Sequence, residues 1–144
     1  EKQGIDFQLE QNLIADHIRI QAGYSYIDAI NKSEAPNRRD KRIVFTPEHT
    51  VNTTLWFGIW RAQGLLIYRH VSERHVTPSN TGNPLPKYDL WDFSLSYQQV
   101  FGQLQLDLGV AVKNISNTQY QLLRGFPMPG RQFRITAKLK FTQN

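Results

Sequence analysis

RQFRITAKLKF, running from Arg131 to Phe141, puts Phe133, Ile135, Ala137, Leu139 and Phe141 on one side of an extended strand. Arg134, Thr136, Lys138 and Lys140 fall on the other, because strand side chains alternate between faces. A helix would scatter the same residues around its circumference. Alternation of this length, apolar against charged, belongs to a strand with one wet face. It leaves open which face is enclosed, and the strands before it decide that.

Working back toward the N-terminus, the sixth strand is the cleanest. Leu104, Leu106, Leu108, Val110 and Val112 oppose Gln103, Gln105, Asp107, Gly109 and Lys113. The fifth sets Trp91, Phe93, Leu95 and Tyr97 against Asp92, Ser94, Ser96 and Gln98, with a short turn at Gln99–Gly102. The fourth, about Gln63 to Val71, is blurred by the consecutive Leu65, Leu66 and Ile67. A tight turn near Trp60–Arg61 joins it to the third, Thr50 to Ile59, which aligns Val51, Thr53, Leu55, Phe57 and Ile59. The second carries Ile18, Ile20, Ala22, Tyr24 and Tyr26, and the first Ile5, Phe7 and Leu9, with a short turn around Asn12–Asp16 between them. Longer polar connections span roughly Ala29 to Glu48, Ser72 to Lys87 and Asn114 to Gly130. Their Pro and Gly content marks them as loops.

Composition narrows the class. The chain has 144 residues, a hydrophobic fraction of 40% and a net charge of +5, with a mean hydropathy of -0.50. No apolar run approaches the roughly 20 residues of a membrane helix. A membrane barrel remains open, because half of its strand residues face a polar interior. No basic helix or zinc signature accompanies the positive charge, so nucleic acid is not expected as a partner. Cys is absent, which removes disulfides and thiolate metal sites. The chain begins at Glu1, almost in mid-strand, and reads as a piece of something longer.

Two regularities decide between a membrane wall and a soluble sheet. Connections alternate short and long, so every long loop lies at one end of an antiparallel meander. Aromatics gather at strand ends: Phe57, Trp60, Tyr97, Phe101 and Phe141 at the short-turn end, Tyr24, Tyr26, Tyr68, Tyr88 and Trp91 toward the long loops. Two belts around an apolar band describe an outer-membrane barrel. A soluble β-sandwich or lipocalin-like barrel shares the alternation, but has no reason for belts or one-sided loops. Its exposed face would also favour Lys and Glu over the Gln, Ser, Asn and Gly found here. Within lipid every backbone polar group must be paired, so such a sheet must close. Seven strands do not match the even counts of bacterial barrels, which places the remainder upstream of Glu1. The expected fold is thus all-β: an antiparallel, up-and-down transmembrane β-barrel segment of about seven strands.

Three motifs then carry a family resemblance. Val112-Lys113-Asn114-Ile115-Ser116-Asn117, with Tyr120 following, resembles the V-x-N-L-F-D…Y signature of TonB-dependent outer-membrane receptors. Gly125-Phe126-Pro127-Met128-Pro129-Gly130-Arg131 resembles their G-Y-P-x-P-G-R segment, and Phe45-Thr46-Pro47-Glu48-His49-Thr50-Val51-Asn52 their Y-T-P-x-H-x-x-N. The likeness runs over nearly the whole chain, and the three motifs stand in the family's order. It implies that residues 1–144 are the C-terminal portion of a 22-stranded barrel occluded by a plug. Neither the plug nor a TonB box is in this stretch. It further implies a cell outer membrane location and TonB-coupled import of a scarce ligand: a siderophore, haem, cobalamin or glycan. The implied partners are outer-membrane lipids and lipopolysaccharide, the small-molecule ligand, and TonB acting through the plug. One departure is the tail Thr142, Gln143 and Asn144 beyond Phe141, where the family ends on the aromatic read by the barrel-insertion machinery.

Candidate chemistry is sparse, and no enzyme, metal or cofactor is expected. Rival classes are a barrel enzyme or a small structural barrel, but no Ser/His/Asp-type set lies at wall or rim positions. His70 and His75 lack a carboxylate pattern to complete a metal site and read as surface or girdle residues. Asp92 and Asp107 suggest a carboxylate pair less readily than a solvated network with basic neighbours. Glu73, Arg74 and His75 read as loop, and the Asn114-Ile115-Ser116 sequon as coincidence. Pro127, Pro129, Gly125 and Gly130 read as turn formers, and Asn114 as the end of the sixth strand. For ligand contact the sequence offers Gln121 and Arg124 in the last loop. In the first loop it offers Arg38 and Arg39, of the basic cluster with Lys41 and Arg42, for an anionic chelate or lipopolysaccharide.

Overall fold

The computed structural model describes residues 1–14 and 17–141; the Asn12–Asp16 turn falls partly outside them, as do Thr142, Gln143 and Asn144. The elements in chain order are β1 (Lys2–Ile14), β2 (Ile18–Asn31), β3 (Lys41–Arg42), β4 (His49–Ile59) and β5 (Ala62–Val71). They continue with β6 (Tyr88–Phe101), β7 (Leu104–Lys113), β8 (Gln121–Leu123), β9 (Phe126–Pro127) and β10 (Gln132–Phe141). Seven long strands form one antiparallel sheet in the order β1-β2-β4-β5-β6-β7-β10, so each pairs with its neighbours along the chain. This is an up-and-down wall, with β1 and β10 as its edges among the described residues. The long strands are 10 to 14 residues, against the roughly 9–11 that cross a bilayer at a tilt.

Register places the apolar sets of all seven strands on one face. Residues directly opposite in an antiparallel ladder share a face. Ile5 stands opposite Tyr26, and Phe7 opposite Tyr24. Ile20 is opposite Leu55, and Leu55 opposite Leu66. Leu66 meets Phe93, Phe93 meets Val112, and Val112 meets Phe133. The ladder also resolves the blurred fourth strand: Leu66 and Tyr68 join the apolar face, while Leu65, Ile67 and Val71 lie on the other.

Among the described residues nothing covers that apolar face. Leu108 is 42% exposed and Ile135 84%, whereas a soluble sheet would seal such side chains under a second layer. Apart from Gly64, covered by the Phe57 ring, the buried residues lie on the opposite face or in the loops, at the long-loop end. Val71, Tyr88 and Leu90 form a small cluster there, with Tyr120 of the last long loop packed against it. The loops therefore fold over the polar face, leaving the apolar one to acyl chains. No helix is long and apolar enough to cross a membrane among the described residues; the crossing elements are strands.

Several expected boundaries shift. β6 continues through Gln99 to Phe101, with Phe101 paired to Leu104, so its turn is shorter than Gln99–Gly102. The first long loop contains β3, paired to the end of β2 through Ile30–Arg42 and Asn31–Lys41. The last contains a small hairpin, β8 with β9. Tyr88 does not belong to the outer belt. It is on the polar face and packs at a tilt against Tyr120, with ring centroids 4.6 Å apart. Its parity with Leu90 overrides its position near the rim.

Candidate functional site

The three long loops, residues 32–48, 72–87 and 114–131, are tied together by their own polar groups. Asn80 fastens the first to the second: its Oδ1 accepts from the Arg42 N–H at 2.6 Å, and its Nδ2 donates to the Arg42 carbonyl at 2.9 Å. The Phe45 N–H donates to the His75 carbonyl at 2.8 Å. Arg74 fastens the second loop to the third. It bridges Leu85 through paired backbone bonds, lays its guanidinium over the Tyr88 ring at 5.2 Å, and donates from Nη2 to the Gln121 carbonyl at 2.9 Å. Arg74 is only 5% exposed, and among the described residues its Nε has no hydrogen-bond partner. Such burial of a guanidinium is stabilised by the stacking and the charge-assisted bond.

The third loop is built around Asn114. This residue has φ +52 and is 5% exposed. Its backbone N–H donates to Asp92 Oδ1 at 2.7 Å. Its side chain bonds forward, donating to the Thr118 carbonyl at 3.0 Å and accepting from the Thr118 N–H at 2.8 Å. Asn114 thus ends β7, by gripping the backbone four residues on. Gly125 takes φ +84 as a turn former. Gly130 serves differently: a Cβ there would lie 2.6 Å from Asn117 Oδ1, which accepts from the Arg131 N–H.

Between the second and third loops this packing leaves an open cleft of about 410 Å³. Asn83, Leu85 and Pro86 form one side, and Tyr120, Gln121, Arg124 and Pro127 the other. Gln121 and Arg124 therefore share one concavity. Each also has a structural duty: Gln121 Oε1 accepts from the Gly125 N–H at 2.9 Å, and Arg124 Nη2 donates to the Asn83 carbonyl. Arg38 and Arg39 are exposed on the first loop and are not among the residues lining the cleft. The rest of their cluster is partly consumed by the loop itself. Arg42 bonds Glu48 at 2.8 Å and approaches Asp28 at 3.7 Å, while Lys32 grips Asp40 at 2.8 Å. That last contact holds the Asp40 carboxyl below its usual range and the Lys32 ammonium above its own, through the hydrogen bond first and charge second.

The remaining candidates separate. Asp92 caps Asn114. Asp107 sits well along the strand from it and bonds Gln105, Gln98 and Lys140, so the two form no carboxylate pair. His70 lies on the apolar face near the rim and bonds Asp89 at 2.8 Å, as does Tyr68 at 2.6 Å. Among the described residues no group of three His, Cys, Asp or Glu side chains is placed to hold a metal. Sequence reasoning missed Arg74 as the fastener of the loops. Its place between a polar-face strand and a Pro-rich loop was the available signal, but burial is a tertiary property.

An antiparallel meander with an uncovered apolar face, belted ends and loops folded over the polar face is a segment of an outer-membrane β-barrel. Residues 1–115 match the family described as TonB dependent receptor-like, beta-barrel, and the chain belongs to that family. It is a stretch of barrel wall from the outer membrane of Gram-negative bacteria. The Ferrioxamine B receptor of Salmonella typhimurium is 27% identical over 126 residues, covering 83% of this chain and 18% of the relative. The ferric preacinetobactin receptor BauA of Acinetobacter baumannii matches 96% of this chain and 22% of its own length. Its TM-score is 0.79 at 18% identity. The ferric citrate transporter FecA matches 85% of this chain and 21% of its own, with a TM-score of 0.75 at 18% identity. At such identities the solved structures show the shared fold. The BauA match, at 96% of the chain, extends it past residue 115. The chain spans about a fifth of the length of these relatives.

Proposed function

We propose that this chain forms the C-terminal strands of a 22-stranded, plugged receptor that imports a ferric siderophore by TonB-coupled transport. The observation that carries the reading is a lipid-facing wall whose long loops fold inward and leave a cleft at their junction. In barrels of this kind the long loops are extracellular and the short turns periplasmic, so the cleft stands where a ligand arrives. The relatives named for their cargo are receptors for ferric complexes, which favours a siderophore over haem, cobalamin or a glycan. Arg124 and Gln121 contact the ligand at the cleft. Arg38 and Arg39 act further out, drawing in anionic chelates or lipopolysaccharide. The plug and its TonB contact belong to the remainder of the receptor.

The test is uptake of radiolabelled iron by cells carrying the full-length receptor as their sole siderophore receptor, with and without TonB. Chelate-dependent uptake that disappears without TonB supports the reading. Uptake of none of a panel of ferric siderophores, with growth instead on haem or cobalamin, refutes it. Replacement of Arg124 by Ala should weaken chelate binding while leaving receptor assembly intact.

A further inference from the structure

Phe93 of β6, Val112 of β7 and Phe133 of β10 form one row across the apolar face, since Phe93 stands opposite Val112 and Val112 opposite Phe133. Two rings flank one small side chain, which leaves a groove of about 290 Å³ between them. Ile115 and Arg131 complete its lining at the long-loop end. The third loop places both. The Ile115 N–H donates to the Trp91 carbonyl at 2.8 Å, and the Arg131 N–H donates to Asn117 Oδ1 at 2.9 Å. Phe93 is backed in turn by Phe57, with ring centroids 6.4 Å apart. The floor and both walls come from three adjacent strands of this chain. A strand that closes the barrel joins the far edge of β10, outside the groove.

Depth identifies what lies in it. From Leu108, in the middle of β7, Val112 is about 14 Å along the strand, or ~10 Å in height at a tilt of roughly 45°. That is within the ~12 Å half-height of an apolar band about 25 Å tall. Arg131 precedes Gln132, the partner of Lys113, so it stands level with Asn114 at about 14 Å, where headgroups begin. An apolar slot with a guanidinium at its mouth suits an acyl chain below a phosphate. The chain buries the apolar walls, and a guanidinium fork matches phosphate oxygens bidentately. Asp89, the carboxylate on this face of β6, is taken up on the β5 side by Tyr68 and His70. The long loops are extracellular, so the leaflet is the outer one, whose phosphorylated lipid is lipopolysaccharide. We propose that the groove holds one acyl chain of lipid A, the anchor of lipopolysaccharide, with a lipid A phosphate on Arg131. The site is on the outside of the wall and is independent of the cargo carried within.

The experiment titrates the purified full-length receptor in detergent with three probes: bisphosphorylated lipid A, dephosphorylated lipid A and phosphatidylglycerol. Bound lipid is counted by native mass spectrometry, with heat-modifiable migration of the barrel as the check of assembly. Wild type should hold one bisphosphorylated lipid A more tightly than either other probe, a readout that needs no variant to fold. Arg131→Gln should weaken that binding on the order of tenfold, and Arg131→Lys should restore part of it. Val112→Trp, which fills the floor, should abolish it, while Ile20→Trp, on the same face of β2 away from the groove, should leave it unchanged. Equal affinity of wild type for all three probes overturns the site. So does equal binding by wild type, Arg131→Gln and Val112→Trp. Equal loss in Ile20→Trp and Val112→Trp also overturns it, because the lipid would then be covering the wall at large. Tighter binding of phosphatidylglycerol than of lipid A refutes the choice of lipopolysaccharide.

Discussion

Leu108 is the fifth residue of the ten-residue β7, so it lies near mid-depth of the wall. On its face it stands between Tyr97 of β6 and Ala137 of β10. Replacing it by Arg points a guanidinium at the acyl chains, at a cost of about 2–4 kcal/mol near the bilayer midplane. At 1.36 kcal/mol per tenfold, that is a factor of roughly 30 to 900 in the folded-to-unfolded ratio. Against the ~5–15 kcal/mol that holds a typical domain, the loss is severe. Gln105, on the polar face of the same strand, already bonds Asp107 at 2.7 Å. Gln105→Arg should therefore be tolerated, its new charge facing a carboxylate across water. Leu106→Arg, two residues nearer the short turn, should fall between them because the cost drops toward the interface. The assay is urea unfolding of the full-length receptor in lipid vesicles, alongside its yield in the outer membrane. Equal losses for Leu108→Arg and Gln105→Arg would refute the assignment of faces and the membrane wall with it.

Three further outcomes follow from local geometry. A Cβ at Gly64 would overlap the Phe57 ring. Gly64→Ala should therefore expel that ring from its place beside Phe93 and cost about 1–3 kcal/mol; urea midpoints should recover when Phe57 is also made Leu, and an unchanged midpoint in the single variant would contradict this packing. Asn80→Ala removes both bonds to the part-buried Arg42 backbone, at about 0.5–1.5 kcal/mol for each bond lost. Proteases should then cut residues 40–45 and 77–82 faster while the barrel stays intact. The Lys32–Asp40 link should be present between the two pKa values. Because Asp40 is depressed and Lys32 raised, it is lost as pH falls through the lowered Asp40 value, and again as pH rises through the raised Lys32 value. Amide exchange across residues 32–41 should quicken at both limits, and Asp40→Asn should abolish the acid-side change.

Strand content, pairing order and facing were legible because each is a property of neighbours along the chain. The period-2 alternation of Leu104–Val112 and Phe133–Phe141 separates an apolar face from a polar one, aromatic belts and one-sided loops give the apolar face to lipid, and alternating loop lengths force a meander. Where the alternation broke, at Leu65-Leu66-Ile67, only pairing with β4 and β6 assigned the faces. Tyr88 shows the same limit. An aromatic near a rim reads as belt, yet its partner Tyr120 arrives from over thirty residues away. Gln121 and Arg124 were found as loop residues beside a motif, but the cleft they share needs the second loop opposite. Arg74 read as loop and proved buried, because its burial depends on Tyr88, Leu85 and Gln121 meeting around it.

The amino-acid order alone determined an antiparallel wall with its greasy side outward, since alternation and loop length need no distant partner to be read. Tertiary structure alone decided which loop residues meet and where the cleft opens. Those are contacts between segments tens of residues apart, and their cost or gain exists only once the sheet has brought the strands into register.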